Sequence, residues 1–228
     1  MQTFALATNT IDIRNTIAQG KIASLLGIEG GHQLGNSIAA LRQFYKLGVR
    51  YVTLTHSCHN GEHVSTLIPC RCSDGSFNAH VVFADGAGIF EGLDPFHNGL
   101  SPFGESLVHE MNRLGMIVDI SHTSDATAIH VLNVSKAPVI WSHSSARSVW
   151  DVPRNIPCVY LFRCARLSHC FSGHSDNILR MLGTGPDKKD AVVHVNFAPY
   201  FVAAPGRADV KAVADHIDWI GNVAGRRQ

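Results

Sequence analysis

No stretch of this 228-residue chain is apolar for long enough to cross a membrane as a helix. The opening residues, M-Q-T-F-A-L-A-T-N-T, lack the basic start and apolar core of a signal peptide. The closing residues, V-A-G-R-R-Q, carry no anchor signal. These absences leave the compartment open. An excess of one charge is missing too. Nineteen Lys and Arg stand against eighteen Asp and Glu, a net charge of +1, so no general field draws nucleic acid or an acidic membrane surface. No nucleic-acid partner is expected. A G-x-S-x-G elbow is absent, which leaves Ser142-His143-Ser144-Ser145 weak evidence for a nucleophilic serine. The stretch G-I-E-G-G-H lacks the G-x-G-x-x-G spacing of a dinucleotide loop. Charged residues are only 16% and hydrophobic residues 45%, so the chain can build a core and does not read as disordered. Of six cysteines, five crowd into two stretches, Cys70 and Cys72 in one, Cys158, Cys164 and Cys170 in the other. A chain this long with no secretion signal does not read as a disulfide scaffold.

Histidine is abundant instead. Fourteen of them put metal or acid/base chemistry in view. The chain is organised around Ala23–His32, A-S-L-L-G-I-E-G-G-H, where an apolar run ends in Glu29 and two glycines. Ala23–Ile28 is read as one buried strand. Residues 11–20 read as a short helix, and Asn36–Leu47 as a helix stopped by Gly48. Val49–Thr55 alternates and is rich in β-branched residues, so it is a strand. Glu105–Leu114 is a helix closed by Gly115, and Met116–Ile120 a strand. Thr123 or Ser124 caps a helix over Asp125–Val134. Pro138–Trp141 and Ala191–Phe197 are strands, and Asp209–Val223 is an amphipathic helix. Five strands alternating with helices imply an α/β fold with a parallel sheet, whose functional rim lies at the carboxyl ends of the strands.

Four consecutive strands end at or near Glu29, His56, His122 and His143. One histidine after a strand is as readily a turn residue as a ligand. Four such groups on one rim point to a metal, and histidine with carboxylate suits zinc. A bridging carboxylate with histidines on either side also suits a two-metal arrangement. His109, His130, His194 and His216 fall inside helices or strands and read as surface or packing residues. His32 and His59 lie near the rim and stay ambiguous.

These segments resemble the membrane (renal) dipeptidase family of zinc peptidases, in a truncated, fungal-type form. The resemblance rests on G-I-E-G-G-H-Q-L (27–34), L-R-Q-F-Y-K-L-G-V-R-Y-V-T-L-T-H-S-C (41–58), G-L-S-P-F-G (99–104), E-M-N-R-L-G-M-I-V-D-I-S-H-T-S (110–124), A-P-V-I-W-S-H-S-S-A (137–146) and V-P-R-N-I-P (152–157). It implies a (β/α)8 TIM-barrel type fold, a binuclear zinc site, and hydrolysis of the peptide bond of dipeptides by a hydroxide held on the metals. On this resemblance Glu29 matches the bridging carboxylate, and His122 and His143 match two histidines on one zinc. His56 matches the histidine that contacts substrate and stabilises the tetrahedral intermediate. Arg154 matches the arginine that holds the substrate carboxylate, a task suited to a planar guanidinium.

The chain departs from the family pattern in three places. The family's opening strand carries an H-x-D pair for the other zinc, and none stands ahead of Glu29. The pair is expected to be absent anywhere in residues 1–228, as is a D-F-D-G segment that the family carries later. Two insertions, at about 61–82 and 158–175, interrupt the match, and they read as translated introns better than as a second metal site. The expectation is therefore a single partial barrel domain over 1–228 that lacks its first and last strands. It would hold at most one well-ligated zinc, show little dipeptidase activity and tend to associate into homo-oligomers. A related metal-dependent amidohydrolase acting on another amide or ester, and a non-catalytic remnant, stay open as alternatives.

Overall fold

A computed structural model of the chain describes residues 3–56, 60–61, 70–71, 77–78, 82–84, 97–157, 178–182 and 189–225. The elements in chain order are β1 (Phe4–Leu6), α1 (Thr10–Ala18), β2 (Ile22–Ser24), β3 (Leu26–Glu29), a 3-10 turn (Gly31–Leu34), α2 (Ile38–Lys46) and β4 (Val49–Thr53). Four short strands follow, β5 (Asn60–Gly61), β6 (Cys70–Arg71), β7 (Phe77–Asn78) and β8 (Val82–Ala84). The rest is α3 (Pro102–Leu114), β9 (Ile117–Asp119), α4 (Asp125–Val134), β10 (Val139–Trp141), α5 (Ile178–Met181), β11 (Ala191–Val193), α6 (Pro199–Val202) and α7 (Val210–Ala224).

The expected α/β architecture is present. β3, β4, β9, β10 and β11 form one parallel sheet in the order β11-β10-β9-β4-β3. Its strands are short and largely apolar, as befits strands covered by helices. Val52, Val118, Val139 and Trp141 are buried with Leu41 of α2, Leu107 and Met111 of α3, and Val131 of α4. The helices begin where a side chain can take up free backbone N–H groups. Ser37, Ser101, Ser124 and Asp209 each accept from the backbone of the first turn.

Two features refine the expected elements. The run Ala23–Ile28 is not one strand: it breaks at Leu25 into β2, paired parallel with β1, and β3, paired with β4. Close approach then constrains β3. A Cβ built on Gly27 would lie 2.0 Å from the Tyr51 ring on β4, so only glycine fits there. The barrel does not close among the described residues: the two outer strands of the sheet, β3 and β11, leave Leu26 45% and Val192 51% exposed. The proposed insertions fall almost wholly outside the described residues. No helix among the described residues is long and apolar enough to cross a membrane.

Candidate active site

Register across the sheet explains why the rim residues meet. Glu29 pairs with Thr53, Thr53 with Asp119, and Asp119 with Ile140, so four strands end level with one another. Glu29 is the last residue of β3. His56, His122 and His143 follow β4, β9 and β10 within two or three residues. Four side chains far apart in sequence are thus delivered to one edge.

Three of them converge on one point. Glu29 Oε1 lies 3.1 Å from His122 Nε2 and 2.9 Å from His143 Nε2, and the two Nε2 atoms are 2.9 Å apart. His56 stands beside them, its Nε2 3.8 Å from Glu29 Oε1 and its ring 4.4 Å from that of His122. Glu29 and His56 are about half exposed, whereas His122 is buried. The chain bends sharply to place them. Gly30 has φ +91°, and a Cβ there would lie 3.3 Å from the His56 Cβ. His122 itself sits at φ +66°, a strained conformation for a non-glycine residue. Thr55 Oγ1 donates to the His122 carbonyl at 2.8 Å and helps hold that turn.

The electrostatics favour a deprotonated set. The hydrogen bond from His122 holds the Glu29 carboxyl down at about 2. Burial pushes His122 down to about 4 and lowers His143 as well, with the Arg154 charge adding to both. At neutral pH the site is one carboxylate and two neutral imidazoles, the form in which these groups bind metal. The spacing also fits. A tetrahedron of bonds about 2.0 Å long has edges of roughly 3.3 Å, close to the 2.9–3.1 Å seen among these three atoms. Among the described residues this is the group of His, Cys, Asp and Glu whose ligand atoms could hold an ion.

Arg154 lies beneath this rim. It is 3% exposed, and its guanidinium donates to Ser144 Oγ at 2.7 Å and to the His143 carbonyl at 2.9 Å. Burial brings its pKa down to about 10, so it stays charged at neutral pH. A cavity of about 10 Å³ runs past it, bordered by His122, Ser144, Arg154 and Asn155. Three buried polar atoms on those residues, His122 Nδ1, Arg154 Nε and Asn155 Oδ1, have no hydrogen-bond partner among the described residues. Phe201 lies with its ring centre 5.8 Å from the Arg154 guanidinium carbon.

One expectation needs correcting. H-x-D is not absent from the chain: it occurs at His174-Ser175-Asp176 and at His216-Ile217-Asp218. The first lies outside the described residues. The second is on α7, where His216 is fully buried, accepts from the Ala146 N–H at 3.0 Å and donates to the Val202 carbonyl at 2.8 Å. Both ring nitrogens are spent on backbone, so His216 is a packing residue as its helical position implies. His130 likewise faces Glu105 at 3.0 Å and the Leu100 N–H at 3.2 Å, away from the cluster.

Some residues that shape the site drew no attention in the sequence. Asp119 is fully buried at the end of β9 and accepts from Thr53, Ser121 and Ser142. Its signal was available: a carboxylate inside M-I-V-D-I is costly to bury unless hydrogen-bonded. Arg147 forks onto Asp125 with two 2.7 Å contacts and donates to the Pro153 and Asn155 carbonyls, bracing the loop that carries Arg154.

Comparison with known proteins shows the family. The family model for membrane dipeptidase, peptidase family M19, matches residues 1–65 and 73–164. The chain belongs to that family. It is 40% identical over 225 residues to an uncharacterized dipeptidase of Schizosaccharomyces pombe, covering 98% of this chain and 44% of that protein. It is 37% identical over 225 residues to the dipeptidase aclJ of Aspergillus oryzae, covering 97% and 42%. The chain therefore spans less than half the length of the curated relatives it matches. In structure it is similar to a metallopeptidase of Rhodobacter sphaeroides solved with a phosphinate mimic of the dipeptide L-Ala-D-Ala. The TM-score is 0.69 at 24% identity, over 98% of this chain and 53% of that one, which supports the fold. The family to which the chain belongs is one of membrane dipeptidases.

Proposed function

We propose that these residues form the metal-holding half of a zinc-dependent dipeptidase site, with Glu29, His122 and His143 as the ligands. The observation that carries this is the convergence of one carboxylate oxygen and two Nε2 atoms within 3.1 Å of one another at the carboxyl rim of a parallel sheet. Zinc bound there would supply an activated water at neutral pH and polarise a scissile carbonyl. The protein's own side chains do the rest. His56, half exposed beside Glu29, is placed to donate to an oxygen that gains charge as a dipeptide is attacked. Arg154 supplies the cation for the substrate's free carboxylate, in keeping with a dipeptide rather than an ester or internal amide. Its guanidinium is already engaged by Ser144 and the His143 carbonyl, so taking a carboxylate requires exchanging one of those partners. Domain organisation follows the same reading, one barrel-type domain over 1–228 with insertions at about 61–82 and 158–175.

The described residues gather one such ligand group. The 228 residues are therefore expected to bind one zinc per chain well and to hydrolyse dipeptides weakly on their own. Zinc titration with a chromophoric chelator, alongside an L-Ala-D-Ala hydrolysis assay, tests this. Glu29→Gln and His143→Ala should each abolish tight binding. Tight zinc uptake that survives both substitutions would refute the ligand assignment, and hydrolysis at ordinary enzyme rates would refute the single-metal reading.

A further inference from the structure

Asp119 and Ser142 lie one layer behind the ligand group. Asp119 is 0% exposed, on the strand between β4 and β10. Its Oδ1 accepts the Ser121 and Ser142 N–H groups, each at 3.0 Å. Its Oδ2 accepts the Thr53 and Ser142 hydroxyls, each at 2.5 Å. Four donors fill the four acceptor sites of a carboxylate. The Ser142 hydroxyl proton is committed to Oδ2, because a hydroxyl turned the other way would set two acceptors against each other at 2.5 Å. At the His143 Nδ1, 2.7 Å away, Ser142 Oγ can then only accept. The imidazole must carry its proton on Nδ1, and in the neutral ring the lone pair is then on Nε2, 2.9 Å from Glu29 Oε1, where a cation would separate the two acceptors.

We propose that Asp119 and Ser142 are positioning residues that fix the His143 tautomer and ring orientation, so that Nε2 is held as a metal ligand before any metal arrives. The inference rests on the ligand role proposed for His143. A carboxylate reaching a ligand histidine through a hydroxyl sets the tautomer and raises the basicity of the ligating nitrogen, and losing such a partner typically costs 10–100-fold in metal affinity. The arrangement also ties the ligand to the sheet. Asp119 binds side chains or backbone from β4, from the residue after β10 and from its own strand end, so His143 inherits the rigidity of three strands.

The test uses the full chain with ¹⁵N-labelled histidine, metal-free, with His143 assigned by its loss in His143→Gln. Imidazole ¹⁵N shifts should show His143 protonated on Nδ1 in the wild type. Ser142→Ala should move it toward the Nε2–H tautomer and weaken zinc binding 10–100-fold. Ser142→Thr, which keeps the hydroxyl, should restore the Nδ1–H tautomer and bring affinity within about threefold of wild type. Asp119→Asn should weaken zinc binding in the same direction, and if that buried change unfolds the chain, the two Ser142 variants still decide the matter. A wild-type His143 protonated on Nε2 would overturn the proposal, as would Ser142→Ala with unchanged tautomer and affinity. Failure of the wild type to bind zinc overturns the ligand reading, whereas zinc binding that ignores Ser142 overturns only the positioning role.

Discussion

His216 offers the sharpest test of how the rim loop after His143 is held. The residue is fully buried on α7 and bridges two backbone groups, the Ala146 N–H at 3.0 Å and the Val202 carbonyl at 2.8 Å. Ala146 and Val202 are themselves buried, so neither group can turn to water when the imidazole is removed. Leaving a buried donor or acceptor unsatisfied costs about 1–3 kcal/mol each. Two of them, with the lost packing of the ring, put His216→Ala at about 3–6 kcal/mol. For a chain of this size each kcal/mol is worth about 2–4 °C in melting temperature, so a fall of roughly 6–24 °C is expected. His216→Asn keeps an acceptor near the Ala146 N–H, and His216→Gln keeps a donor reaching toward Val202. Each should recover about half the loss. The assay is thermal unfolding followed by circular dichroism. Acid adds an independent check. Burial lowers the His216 pKa below its ordinary 6.5, so the folded state prefers the neutral ring and the unfolded chain takes up more protons. The stability this neutral ring contributes is present above about pH 6.5 and is lost as pH falls toward the folded value. The gap between wild type and His216→Gln should therefore narrow between pH 7.5 and 5. A His216→Ala melt within 2 °C of wild type, or a gap that widens in acid, would refute the strut.

Other outcomes follow from the same geometry. Gly27→Ala would drive a methyl to within 2.0 Å of the Tyr51 ring, so the ring or β3 must shift, with an expected loss of about 1–3 kcal/mol in chemical denaturation. Arg147→Lys keeps the charge but loses the fork onto Asp125. It should cost about 1–2 kcal/mol and raise the KM for a dipeptide more than it lowers kcat, because the loop bearing Arg154 loosens. Zinc affinity should fall less from pH 7.5 to 5 than at a site of ordinary histidines, since His122 is pushed down to about 4, His143 is lowered as well and Glu29 is held at about 2. Chelator competition at several pH values distinguishes the two. Sequencing of the spliced transcript should show residues near 61–82 and 158–175 removed, and in-frame reads that keep both would disprove the intron reading.

The strands and the ligands were legible for one reason, and the supporting shell was hidden for another. β4, β9, β10 and β11 announce themselves as short apolar runs bounded by turn residues, and the groups that follow three strands of the sheet are histidines. Periodicity can report that much. It does not report where pairing changes partners, so the continuous run from Ala23 to Ile28 concealed the break at Leu25, and the three-residue β1 that pairs with β2 gave no signal of its own. His122 shows a different limit. Its type and place are visible in S-H-T-S, but its φ of +66° depends on the Thr55 hydroxyl reaching its carbonyl, a contact 67 residues away in sequence.

The ligand group also explains why the residues behind it are polar in a sheet that is otherwise apolar. Two neutral imidazoles and a carboxylate within 3.1 Å form a stable arrangement only if each ring nitrogen has an assigned role. His143 receives its role from Ser142. His122 does not receive one in the same way, since its buried Nδ1 has no hydrogen-bond partner among the described residues. The two histidines are therefore unequal. His143 is fixed by hydrogen bonds through Ser142 to a carboxylate anchored in three strands, whereas His122 is held by backbone strain and by Glu29 itself. Glu29 is the more exposed member of the set; it accepts from His122, and its Oε1 lies 2.9 Å from the His143 Nε2. Its removal should release His122 more than His143, so Glu29→Gln should broaden or shift the His122 ring resonances while leaving those of His143 close to wild type. Equal disturbance of both rings would show that Glu29, and not the layer behind it, is what holds the site together.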